Sequence, residues 1–322
     1  MIRLLFLMMT TFIINIISTF AEAQQNWPTR PVKIIIPYAA PAPVDSALRI
    51  LVEPLTKHFG QNFLIENRPG AGGNIGSDYV AKAAPDGYTL LLNSTAIVTS
   101  LVYNKKMSYN VEKDLTPISL MLTGDTVLGA SNKFQPNNVP ELIKLAKTNP
   151  GKITFGSSGT GTTNHLSGEL LKFQTGIDLL HIPFSGSAQA LISIMGGQTD
   201  LMFGSALDLA PRAKAGQIKA LGVTNAQRSS ALPDVSTIGE YVPGYESTVW
   251  YGLFGPAGIS PDITNKLSLE MGALANVLDI KTRLESLNAT FIGSRPDVLA
   301  KLVRDEIVKW RRVVQQAGLA GD

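Results

Sequence analysis

Beyond residue 23, short apolar runs alternate with stretches whose apolar residues recur every three or four positions, the rhythm of strands followed by helices. Val32 to Pro37 (VKIIIP) is continuous, apolar and β-branched, which predicts a strand buried on both faces. Asp45 then opens a helical pattern in which Leu48, Leu51, Val52, Leu55 and Phe59 share one face. Gly60 stands where a helix C-terminus takes a left-handed residue, and Pro54 predicts a kink or a shortened first half. Further strands read Phe63 to Asn67 and, after the turn Pro85-Asp86-Gly87, Tyr88 to Asn93. A glycine-rich loop, Arg68 to Gly76, separates them.

The same alternation fills the middle of the chain. Asn138 is placed to cap a helix carrying Leu142, Ile143 and Leu145, which Pro150-Gly151 stops. A strand at Ile153 to Phe155 leads through Ser157 to Thr162 into a helix with Leu166, Leu170 and Phe173. Leu179 to Phe184, Asp200 to Phe203, Lys219 to Val223 and Val249 to Phe254 are further short apolar runs. Ser260-Pro261 and Ser294-Arg295-Pro296-Asp297 each put serine at a cap and proline in a first turn. The fold class is therefore α/β, with mostly parallel sheets covered on both faces.

The first 23 residues stand apart. Arg3, an uncharged and mostly apolar run from Leu4 to Phe20, and Ala21-Glu22-Ala23 read as a secretory signal peptide, with the mature chain starting at Gln24. An uncleaved membrane anchor is the competing reading, because the run is long for a signal core. No other stretch is long and apolar enough to span a bilayer, so the mature chain is expected to be soluble and exported. Composition narrows the function further. The 322 residues carry 28 basic and 25 acidic side chains, a net +3 without charge runs, which excludes a nucleic-acid footprint. The absence of cysteine excludes thiol catalysis and disulfides, three dispersed histidines argue against a multi-histidine metal cage, and no cofactor is expected.

Catalytic motifs are missing. Gly156-Ser157-Ser158-Gly159 lacks the spacing of a nucleophile elbow, and Ile75 occupies the third-glycine position of a dinucleotide fingerprint. His165 and His181 have no sequence-evident nucleophile or orienting acid and are expected to be structural. What remains is four hydroxyl- and glycine-rich loops: Tyr38 to Asp45, Asn93 to Thr95, Ser157 to Thr163, and Gly204-Ser205. At the carboxyl edge of a parallel sheet, such loops present backbone N–H groups and helix N-termini to an anion. Four of them in an exported chain without a reaction motif point to a small-ligand receptor.

The segments WPTRPVKIIIPYAA, LIENRPGAGGNIGSDYVAKAAPDGYTLLL, IPFSGSAQALISIMGGQTDLMF and RSSALPDVSTIGE with WYGLFGPAG cover the chain widely. In them the mature chain resembles the Bug-type (TctC) receptors, the periplasmic solute-binding components of tripartite tricarboxylate transporters. The resemblance implies a two-domain periplasmic-binding-protein fold that closes like a flytrap over a cleft between domains joined by crossing strands. It assigns residues 24–122 plus 225–322 to domain one and 123–224 to domain two. It implies a monomeric receptor for a small organic acid, serving a two-component membrane permease. Tyr38, Ala39, Asp45, Ser94 and Thr95 would contact the ligand from domain one; Ser157, Ser158, Gly159, Thr160, His165 and Ser205 would do so from domain two. The glycine-rich loop is read as structural, with Asn74 capping the next helix.

Three departures bear on the ligand. The family usually has two glycines where this chain has Pro41-Ala42, a basic residue where it has Ser185, and an acidic residue with asparagine where it has Gly204-Ser205. Proline lacks an N–H, so the Pro41-Ala42 loop is expected to be stiffer and to aim fewer amides at an anion. Two rival readings are an orphan receptor serving a signalling partner and an exported hydrolase using Ser157 or Ser158 with His165.

Overall fold

The computed structural model describes residues 27–40, 43–103, 106–316 and 318. The signal segment 1–23 and the Pro41-Ala42 departure lie outside the described residues.

Eleven named strands form two sheets among the described residues. The first contains β1 (Val32–Ile36), β2 (Phe63–Asn67), β3 (Thr89–Ser94), β4 (Leu115–Gly124), β10 (Val249–Pro256) and β11 (Ala289–Phe291), in the order β11-β4-β10-β3-β1-β2. The second contains β5 (Thr126–Ala130), β6 (Thr154–Ser157), β7 (Leu180–Pro183), β8 (Leu201–Ser205) and β9 (Lys219–Val223), in the order β7-β6-β8-β5-β9. The helices are α1 (Pro43–Phe59), α2 (Asn74–Ala81), α3 (Ala96–Tyr103), α4 (Val111–Asp114), α5 (Val139–Thr148) and α6 (Thr163–Thr175), then α7 (Ser187–Gly196), α8 (Ala206–Lys214), α9 (Pro261–Leu274), α10 (Leu278–Ser286) and α11 (Pro296–Gln316).

Both sheets are mixed rather than mostly parallel. β1 pairs in parallel with β2 and β3, and β6 with β7 and β8. β10 is antiparallel to β3 and β4, and β5 is antiparallel to β8 and β9. A buried apolar run looks the same in either direction, so VWYGLF carries no sign of its antiparallel pairing.

The apolar patterns find their core. Ile34 and Ile36 pack with Leu48, Leu51 and Leu55 of α1 and with Leu267 and Met271 of α9. Ile35, one residue out of phase, faces the opposite layer with Leu91, Val80 and Ile97. Burying each such aliphatic side chain stabilises the fold by about 1.5–3 kcal/mol. Lys33 is exposed and pairs with Glu66 at 3.2 Å, so β1 is not covered throughout.

Several local expectations need correction. α1 runs unbroken through Pro54 and begins before Asp45, which is its third residue rather than its opening one. Gly60 does adopt the left-handed conformation at φ +66°. Gly73, at φ +98°, precedes α2, and Asn74 is its first helical residue with no capping side chain at that end. Ser294 does not cap α11; its hydroxyl accepts the Leu120 N–H at 2.9 Å and joins the helix entry to β4. Phe173 is exposed, and Leu171 takes the buried place on α6. Asn138 and Ser260 cap as expected, accepting from the Glu141 and Asp262 N–H groups.

β4 of the first sheet continues through Asp125 directly into β5 of the second. On the return, Asn225 clasps the crossing: its Nδ2 donates to Asp125 Oδ1 at 2.7 Å and its Oδ1 accepts from Thr126 N–H. α11 packs against both α3 and α6. Trp310, Val313 and Val314 of α11 share one core cluster with Leu91 of the first sheet and Phe155 and Phe203 of the second.

Candidate functional site

The parallel strands β1 and β3 deliver Tyr38 and Ser94 side by side. The Tyr38 hydroxyl donates to Asn93 Oδ1 at 2.5 Å and, its hydrogen spent, accepts from the Ser94 hydroxyl at 2.6 Å. Burial pushes the Tyr38 phenol up to about 12, with the Ser94 contacts opposing the rise. Asn93 passes the chain on through Nδ2 to Ser77 Oγ at 2.8 Å, and Ser77 donates to the Gly73 carbonyl. Here the glycine-rich loop has its use. A Cβ on Gly76 would lie 2.8 Å from the Arg68 carbonyl oxygen and 2.9 Å from Pro37 Cβ, so only glycine lets α2 close against the Pro37-Tyr38 backbone.

Asn67, unmarked in the sequence, ties the other predicted residues together. Its Nδ2 donates to the Tyr38 carbonyl at 3.0 Å and to Asp45 Oδ1 at 2.9 Å. Asp45 is buried, and Ala39 is exposed. Thr95 is fully buried and committed to the fold: its N–H donates to the Trp250 carbonyl, and its hydroxyl accepts from Trp250 N–H and donates to the Thr248 carbonyl.

On the second sheet, the loop after β6 turns through Gly159 (φ +130°) and Gly161 (φ +78°). Ser157 Oγ donates to the Gly159 carbonyl at 3.0 Å and accepts the Gly159 N–H at 3.1 Å. Its third contact is His181 Nε2 at 2.7 Å, not His165. His165 Nδ1 accepts the Gly161 N–H at 3.1 Å, so this ring carries its proton on Nε2, 3.7 Å from Glu169 Oε1. Burial, then the charges of His181 and Lys172, lowers His165 to about 3; burial and Lys172 lower His181 to about 4. Both rings are neutral. The hydrolase arrangement therefore fails: Ser157 is fully buried with its hydrogen committed, and His165 is engaged elsewhere. Ser158 is half-buried and Thr160 exposed, and neither N–H donates to any group among the described residues. Ser205 caps α8 through Leu207 N–H at 3.2 Å.

The two halves meet at these loops. The Tyr103 ring of α3 abuts Gly161 and lies 6.1 Å from the His165 ring. Thr160 and Thr162 line a cavity of about 640 Å³ together with Ala71, Gly72 and Ser100. Sequence reasoning missed Tyr251, which stands opposite Ser94 on β10, and Asp208 in the first turn of α8. Burial raises both, and the Tyr251 phenol feels the charges of Tyr38 and Asp208.

Two mixed α/β sheets joined by a crossing strand, with polar loops gathered where they meet, define a two-domain solute-binding protein. Residues 47–319 match the family model described as the tripartite tricarboxylate transporter family receptor, and the chain belongs to that family. It is 34% identical over 299 residues to the UPF0065 protein in the tcbD-tcbE intergenic region of Pseudomonas sp. strain P51, covering 92% of this chain and 89% of that protein. The structure of R. palustris Rpa4515 with adipate superposes with a TM-score of 0.85 at 32% identity, covering 91% of this chain and 99% of that one. The periplasmic binding protein BugD gives 0.82 at 32% identity, covering 92% and 100%. No helix among the described residues is long and apolar enough to cross a membrane.

Proposed function

We propose that this protein is an exported receptor that captures a small organic acid in the cleft between its sheets and hands it to a two-component membrane permease. Residues 1–23 would be the cleaved signal, 24–122 with 225–322 one domain and 123–224 the other. The observation that carries this reading is the loop Ser157 to Thr162. Its uncommitted Ser158 and Thr160 N–H groups and the N-terminus of α6 offer donors to a carboxylate without any arginine. Tyr38 and Ser94 would approach from the first sheet, with Ala39, Gly159 and Ser205 as backbone or rim contacts. Asp45, Thr95 and His165 would hold those loops in place rather than touch the ligand.

Adipate, the ligand of the R. palustris relative, is the natural first probe. A thermal-shift screen over mono- and dicarboxylates should find a stabilising ligand, worth about 2.7 kcal/mol at 100 times its dissociation constant. Small-angle scattering at saturation should show compaction. A ligand that is consumed, or a scattering curve unchanged at saturation, would count against a closing receptor.

A further inference from the structure

Asp208 is the third residue of α8, and the start of that helix is pinned to the inter-domain crossing. Ala206 N–H donates to the Asp125 carbonyl at 2.8 Å, and Ser205 pairs with Thr126. One residue before Asp125, Gly124 pairs with Val249, and two residues further along β10 comes Tyr251, paired with Leu122 and Ser94. The strand register thus brings the first turn of α8 to the same place as Tyr251 and the Tyr38–Ser94 pair. Asp208 and Tyr251 are both half-buried there, and neither side chain makes a hydrogen bond or ion pair among the described residues. Arg212, one turn along α8, is exposed and reaches Asp208 only through its charge. The histidines at this junction are neutral; Lys106 lines the cavity beside Thr160 and Thr162, and Arg212 is the cation that acts on Asp208.

Resting on the carboxylate-receptor reading above, we propose that the ligand is an ω-amino acid: its carboxylate lies on the Ser157–Thr162 loop, and its ammonium is received by Asp208 beside the Tyr251 hydroxyl. A second carboxylate in that place would face Asp208 as a like charge in a partly desolvated cleft. An ammonium supplies three donors, matched by the carboxylate oxygens of Asp208 and the phenol oxygen of Tyr251. A helix-dipole role for an acid in a first turn would stabilise α8 but would not choose between ligands.

The test is calorimetric titration of the mature protein with matched series of four to eight carbons: ω-amino acids such as 6-aminohexanoate, dicarboxylates such as adipate, and simple monocarboxylates. The best ω-amino acid should bind the wild type about 10- to 100-fold more tightly than the dicarboxylate of equal length, the value of one charge-assisted hydrogen bond. Asp208→Asn should erase most of that ratio by weakening the amino acid alone, and Asp208→Lys should invert it. Unchanged circular dichroism would show that both variants fold. A wild type that prefers the dicarboxylate, or a ratio that survives Asp208→Asn, overturns the proposal while leaving the carboxylate receptor standing. Binding by no member of any series would bring down the carboxylate reading, and the proposal with it.

Discussion

His165 and His181 lie face to face, with ring centroids 3.9 Å apart and planes 21° from parallel, directly beneath the Ser157–Thr162 loop. One ring holds Ser157 and the other accepts the Gly161 N–H, a bond that His165 can make only while it is neutral. In the unfolded chain each histidine protonates near pH 6.5; in the folded protein His165 and His181 wait until about 3 and about 4. Below pH 6.5 the unfolded state therefore binds more protons, and stability falls with pH down to the folded values. By pH 5 His165 alone should cost on the order of 2 kcal/mol. Melting temperatures from pH 7.5 to 4.5 should drop steeply for the wild type and less for His165→Gln.

Asn67 joins Asp45 to the Tyr38 carbonyl, which makes a prediction about coupling. Asp45→Ser leaves the Asn67 amide short of an acceptor and should cost about 1–3 kcal/mol. Asn67→Ala should cost a similar amount. The double variant should lose less than the sum, with a coupling of about 0.5–3 kcal/mol in urea titrations. Strict additivity would mean that the three groups do not act together.

Gly76→Ala tests the close approach of α2. The added methyl meets backbone on one side and proline on the other, neither of which can swing away, so an overpacking cost of about 1–3 kcal/mol is expected. Because the loop supports Tyr38, ligand affinity should fall as well. A denaturation midpoint equal to that of the wild type would show that the backbone yields.

Tyr38→Phe removes the hydroxyl that Asn93 and Ser94 share and should destabilise by about 1–3 kcal/mol. It should weaken binding of an acid that reaches Ser94. Calorimetry and thermal melts on one sample separate the two effects.

The segments that pack in phase were legible in the residues. Val32 to Ile36, Phe63 to Asn67 and Lys219 to Val223 announce their strands because each is short, apolar and bounded by turn residues. β4 was hidden by Pro117, which falls at a register shift beside Phe254, where a missing N–H does no harm. β11 is three residues long, too short for a period to show. The hydroxyl loops stand out as a candidate site because they follow strands. Their partners could not: Asn67, His181, Asp208 and Tyr251 join them through contacts between distant segments, which a linear pattern does not record. The pairing of Ser157 with His181 rather than His165 is such a case.

The C-terminal helix has a consequence for how the chain comes apart. Trp310, Val313 and Val314 sit in a cluster that draws side chains from both sheets, and Trp310 is fastened by its indole N–H to the Glu306 carboxylate at 2.7 Å. Neither half owns that layer of apolar contacts. Losing the helix would strip both at once, so the two halves should melt together in one transition rather than as separate units.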